Sequence, residues 1–181
     1  MNKDIKVELL KHPIDEDWLL CKQFTLNTVN KHSTKLPSDE WKIKLLESEH
    51  SPIRSLWFAF KLEVPYYVSV HLSRHKIGVE HFVSSQRTSR TGIDRTKLPQ
   101  DTMVSHIIYL NADAFATLSH KRLCAKASIE THRVVKEMVR LAVESNPEFK
   151  SILVVNCQYR NGICTEFDSC GYNEQFILDA K

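Results

Sequence analysis

Glycine is scarce in this sequence. Gly78, Gly92, Gly162 and Gly171 are the four glycines among 181 residues, about a third of ordinary usage. They stand far apart. A G-x-G-x-x-G turn or a Walker A loop needs clustered glycines so that backbone can approach phosphate, and both are therefore excluded. A phosphorylated ligand must be held by side chains, arginine above all. Long apolar runs are missing too. No stretch approaches the ~18 consecutive apolar residues of a membrane span, and the start lacks a secretory h-region. Charge of one sign is not in large excess: 25 Lys+Arg stand against 22 Asp+Glu, a net +3. The five cysteines are an odd number and follow no leader. They are read as free thiols or metal ligands in a reducing, cytoplasmic setting. The length fits one domain over residues 1–181 with a core of its own.

What is present is unevenly placed. Residues 74–97 carry Arg74, Lys76, Arg87, Arg90, Arg95 and Lys97 against Glu80 and Asp94, so this segment holds a net +4. Apolar spacing predicts a strand at 7–11 and a helix over 15–29. Ser38 caps a helix to residue 47, with Asp39 and Glu40 in its first turn. Residues 55–64 read as a strand, and Pro65 opens a helix to about residue 75. Residues 76–97 mix turn and extended character. Residues 101–110 alternate as a strand, with Met103, Ser105, Ile107 and Tyr109 on one face. Asn111 caps a helix to about residue 120. Residues 124–145 form a strongly amphipathic helix, with Ile129, Val134, Val135, Met138, Leu141 and Ala142 on one side. A short strand is expected at 151–155, then a cysteine-containing tail. The sum is α+β: a small, mainly antiparallel sheet packed with helices.

The segment from Arg74-His75-Lys76 to Ser84-Ser85-Gln86-Arg87 concentrates cations, hydroxyls and an amide. Arginine forks bind phosphate bidentately and stay charged; a solvated basic face is the alternative use of such a run. Together with Ser48-Glu49-His50-Ser51-Pro52 and Trp57-Phe58-Ala59-Phe60, the segment resembles the flavin-dependent thymidylate synthases (the ThyX family), whose signature is RHR-x7-S-x-R after a His/Ser-Pro loop. A second block, Leu98-Pro99, Asn111-Ala112, Arg122 and Glu130, resembles that family's L-P…N-A-R…R…A-Q-W-E pattern, with Ser128-Ile129 in place of Gln-Trp. The likeness runs through a signature block at 45–99 and a second block at 98–145.

The resemblance implies a ThyX-like fold and methylation of dUMP to dTMP. FAD would be the cofactor, with NADPH and methylenetetrahydrofolate as co-substrates. It also implies a homotetramer with active sites between subunits. Ser51, Arg74, His75, Lys76 and Asn111 would contact flavin. His71, Arg74, Ser84, Ser85, Gln86, Arg87 and Arg95 would bind a dUMP-like nucleotide, and Arg122 would bind and activate its pyrimidine. The sequence departs from the pattern in places. Lys76 replaces the last Arg of the triplet. Eight residues, not seven, separate Lys76 from Ser85, so either Ser84 keeps the register or one residue is inserted and Ser85-Gln86-Arg87 is the match. Asp113 replaces the Arg of N-A-R. Only residues 88–97 remain where the family carries a long helical segment.

Other classes stay open at this point: a pyrimidine-nucleotide hydroxymethylase, an inactive nucleotide- or flavin-binding relative, or a nucleic-acid-binding protein. The last lacks base-stacking aromatics beyond Phe82 near its charges. In the tail, 151–181, Cys157, Cys164 and Cys170 could supply three legs of a zinc site with Cys124 or a His as the fourth, although no C-x2-C pair is present. His12, His32, His106, His120 and His132 are read as surface or capping residues. Trp18, Trp41, Trp57 and Cys21 are read as core.

Overall fold

The computed structural model describes residues 5–176; the ends of the expected single domain, including the last five positions of the tail, lie outside them. Four strands form one antiparallel sheet in the order β1-β2-β4-β3: β1 is Lys6–Lys11, β2 Trp57–Pro65, β3 Val79–Val83 and β4 Met103–Asn111. The helices are α1 (Asp15–Asn27), α2 (Asp39–Glu47), α3 (Tyr66–Leu72), α4 (Thr88–Thr91), α5 (Ala112–Arg122), α6 (Ile129–Ser145) and α7 (Asn156–Tyr159). The architecture is α+β, as the sequence predicts.

Strands β2 and β4 make the spine. They pair without a break from Trp57 opposite Asn111 to Pro65 opposite Met103. Alternation sends Phe58, Phe60, Leu62 and Val64 inward from β2, and Val104, His106, Ile108 and Leu110 inward from β4. Helices cover this face. Phe58 meets Phe115 of α5 edge-on at 5.3 Å and Phe149 at 5.0 Å, an arrangement that aromatic quadrupoles favour. Trp18, Cys21 and Trp41 join the core side as expected. Trp57 instead lies half-buried on the outer face, stacked on Tyr109 at 4.5 Å.

Several expectations are corrected. Strand β4 alternates as expected, with Met103, Ser105, Ile107 and Tyr109 on one face, but the opposite face is the core side and brings His106, read as a surface or capping residue, inside at 0% exposure. Alternation overrode the usual surface preference of histidine. Residues 151–155 are not a strand. Pro147–Ser151 form a 3-10 turn that drops Phe149, Ile152 and Leu153 into the core, and a short apolar run fits either form. Helix α6 begins at Ile129, not 124, because Ser128 takes the N-cap and a turn closes from Ala127 N–H to Cys124 C=O. Ile129 is consequently exposed, while Val134, Val135, Met138 and Ala142 are buried. Helix α3 stops at Leu72, which frees Arg74, His75 and Lys76 to form a turn into β3.

That turn is pinned at Gly78. Its φ is +69°, and a Cβ there would lie 2.6 Å from Asn111 Nδ2. The Gly78 carbonyl accepts from Asn111 N–H at 3.0 Å, and Asn111 Oδ1 accepts from Ala114 N–H at 2.9 Å, capping α5 as the sequence predicts. Gly78→Ala therefore combines backbone strain with a clash against a capping side chain. It is expected to lower unfolding stability in urea by about 2 kcal/mol or more; an unchanged midpoint would contradict the packing described.

Candidate active site

Arg122, the last residue of α5, reaches back across the molecule to the turn after α3. Its Nε–H donates to His75 Nε2 at 3.1 Å, and an Nη2–H donates to the His71 carbonyl at 3.2 Å. Guanidinium has no acceptor atom and keeps its proton. His75 must therefore accept through Nε2 and carry its own proton on Nδ1, as the neutral imidazole. Its pKa agrees: burial, the Arg122 charge and His81 push it down to about 4. Arg122 is itself lowered, by burial first and then by Arg74. His71 Nδ1 lies 3.2 Å from Thr131 Oγ1 and 3.4 Å from Ser128 Oγ, at the start of α6.

A second chain of hydrogen bonds runs inward from the same turn. His81 Nε2 faces the His75 carbonyl at 2.7 Å, so this nitrogen donates. His81 Nδ1 and His106 Nε2 share a hydrogen bond across 2.9 Å, and His106 Nδ1 lies 3.0 Å from the Ser69 hydroxyl. Burial first, and then His81, push His106 down to about 4, so it is held as the neutral imidazole. His81 and His106 are residues that sequence reasoning missed; the alternation of β4 was the available signal.

The remaining expected site residues divide between the two ends of β3. Arg74 and Lys76 are exposed in the turn before it. Beyond it, Ser84, Gln86, Arg87 and Arg95 line a surface cavity of about 490 Å³, with Tyr66 at its wall. Ser84 closes the sheet by donating its N–H to the Ser105 carbonyl at 2.8 Å. Ser85 is not in the lining; its Oγ accepts from Arg87 N–H at 3.2 Å. Five strand residues separate the two groups along the chain, a span of about 16 Å.

Ser51 opens the 3-10 turn Ser51–Ser55, which packs against α5. Asp113, where the family pattern has Arg, pairs with Arg54 Nε at 2.9 Å. A cation is thus held beside this position from a neighbouring turn, a substitution not foreseen from the sequence. Asn111 is 7% exposed and engaged in capping.

Arg54 and Arg140 are paired with carboxylates. Among the described residues, no carboxylate pairs with Arg74, Lys76, Arg87, Arg95 or Arg122. Unneutralised cations gathered around one strand create a field for polyanions. A larger cavity, about 800 Å³, opens near α1 and α2, but Asp15, Glu16, Asp39 and Glu148 on its wall face only Lys42 and His12, which disfavours phosphate. The tail cysteines Cys157, Cys164 and Cys170 lie away from both and share a small cavity with Cys124. Among the described residues, no three His, Cys, Asp or Glu side chains already stand in metal-ligating geometry. No helix of the described residues is long and apolar enough to cross a membrane.

No family model matches the chain, and no curated protein matches it. Among solved structures its fold is similar to that of a UMP/dUMP methylase, PolB from Streptomyces cacaoi, bound with 5-Br dUMP. The TM-score is 0.61 at 17% identity, over 81% of this chain and 93% of that one. At that identity the likeness is one of fold. The high coverage means that this short chain accommodates nearly all of that structure.

Two histidines with pKa values near 4 set a pH dependence. The unfolded chain binds their protons at about 6.5, the folded chain only near 4, so stability rises with pH across that window. Urea unfolding is expected to show stability falling from about pH 6.5 towards about pH 4. The slope should be shallower in His106→Gln. Parallel profiles for the two proteins would contradict the neutral assignment of His106.

Proposed function

We propose that this protein is a flavin-dependent methylase of a uridylate-class nucleotide, dUMP or UMP. The observation that carries the reading is the set of unpaired cations, Arg74, Lys76, Arg87, Arg95 and Arg122, flanking β3 in a chain without a phosphate loop. The fold likeness to a structure bound with 5-Br dUMP supports the choice of ligand.

The donor set fits both partners. A nucleotide monophosphate needs a compact anion site, and Ser84, Gln86, Arg87 and Arg95 supply hydroxyl, amide and two forks around one cavity. A dinucleotide such as FAD needs cations without a glycine cradle, and Arg74 and Lys76 present them at an exposed turn. When bound, reduced flavin supplies hydride chemistry, with NADPH as reductant and methylenetetrahydrofolate as carbon source. The chain's residues do the rest. Arg122 lowers the energy of negative charge developing on the pyrimidine. His75, neutral and aligned by Arg122, offers an N–H rather than a second full charge. His81 and His106 hold the His75 carbonyl in place.

With Arg87 beyond one end of β3 and the Arg74–Lys76 turn at the other, more than one copy is expected to contribute to each complete site. A homotetramer is the expected form. The outer face of the sheet, with Trp57, Tyr109 and Phe82, is uncovered by helices and available for that contact.

Purified protein is expected to take up FAD and turn yellow, and to oxidise NADPH in the presence of dUMP and methylenetetrahydrofolate. A colourless protein that neither takes up FAD nor oxidises NADPH would defeat the proposal. Arg122→Ala should retain flavin and lose about 100-fold or more in turnover. Arg87→Ala should weaken dUMP binding by about 10-fold or more. Equal affinity there would remove Arg87 from the phosphate site.

A further inference from the structure

Four of the five cysteines are brought to one place. Cys124 sits in the turn between α5 and α6, and Cys157, Cys164 and Cys170 come from the tail more than 30 residues later. All four line a single cavity of about 20 Å³. That is about the volume one water or one ion occupies, too small for an organic ligand or an iron–sulfur cluster. The fifth, Cys21, lies in the core, hydrogen-bonded to the Pro52 carbonyl at 3.4 Å.

Beyond Tyr159, which stacks on His120 at 4.4 Å, the tail buries little apolar surface. From residue 158 to 176 only Gly162 is buried, and Ile163, Phe167 and Tyr172 expose 64%, 103% and 51% of their surface. Its path is kept by local contacts, such as Gly162 N–H to the Cys157 carbonyl at 2.8 Å and Asn173 Nδ2 to the Gly162 carbonyl at 2.9 Å. Segments that cannot bury apolar surface are fixed by a disulfide or a metal. All five thiols are free here.

We propose that Cys124, Cys157, Cys164 and Cys170 bind one soft divalent cation, zinc, which staples the tail to the α5–α6 turn. Four thiolates in a tetrahedral shell select zinc over harder ions. The sulfurs are not yet at ligating distance, so the ion closes the shell by drawing in thiols on a loop with few other restraints. Binding releases the thiol protons, and the cation at the centre pairs with the thiolates. Glu166 is the only carboxylate on the cavity wall, so the site carries no competing hard-ligand set.

The test is metal content of the full-length protein produced with zinc in the medium and then dialysed. About one zinc per chain is expected by elemental mass spectrometry. Loading with Co²⁺ instead should give intense thiolate-to-metal absorption in the near ultraviolet. Cys157→Ser and Cys164→Ser should lose the metal, and Cys21→Ser should keep it. If the first two fail to fold, the unsubstituted protein still decides: a chelator should release zinc and open residues 158–176 to protease while the sheet stays protected. Metal-free protein with four alkylatable thiols overturns the proposal. So do disulfides among these cysteines, or zinc retained by both serine variants. None of these outcomes depends on flavin or nucleotide binding.

Discussion

A guanidinium N–H aimed at an imidazole nitrogen permits one protonation state only. Arg122 imposes that state on His75. The backbone carbonyl of the same residue accepts from His81, which is bonded to His106, which is bonded in turn to Ser69. The chain begins at an exposed turn bearing two cations and ends at a side chain with 2% exposure in α3. Side chains at the surface are therefore indexed to the core, which is how a site keeps its geometry without ligand present.

This constraint accounts for the cost the protein accepts elsewhere. Two histidines held neutral lose stability in acid. Arg122 is depressed by burial and by Arg74, and among the described residues no carboxylate forms a salt bridge with the exposed cations around β3. Glycine scarcity fits the same picture. The backbone makes one close approach here, Gly78 against Asn111, and it serves to set the turn rather than to cradle phosphate.

Much of this was legible in the sequence. The alternation of β2 and β4, the apolar stripe of α6 and the Asn111 cap are local patterns, and local patterns were enough. The resemblance also put Arg122, His75 and His71 in one site, and the fold brings them together across 47 and 51 positions. What was not legible depends on tertiary context. His106 is buried because its strand neighbours are, not because of its own chemistry. Residues 151–155 turn because Phe149 and Leu153 are claimed by the core. The Arg54–Asp113 pair joins residues 59 apart, and no spacing announces it. The division of the cations between two ends of β3 is likewise a property of the sheet.

In the proposed reaction Arg122 acts on a pyrimidine ring whose C5 hydrogen is replaced. Release of tritium from dUMP labelled at C5 reads that event alone, apart from flavin binding and from futile NADPH oxidation. With FAD, NADPH and methylenetetrahydrofolate present, the protein should release tritium, and Arg122→Ala, still yellow, should not. Flavin-loaded protein that releases none from labelled dUMP or UMP would contradict the account, as would equal release by the Arg122 variant.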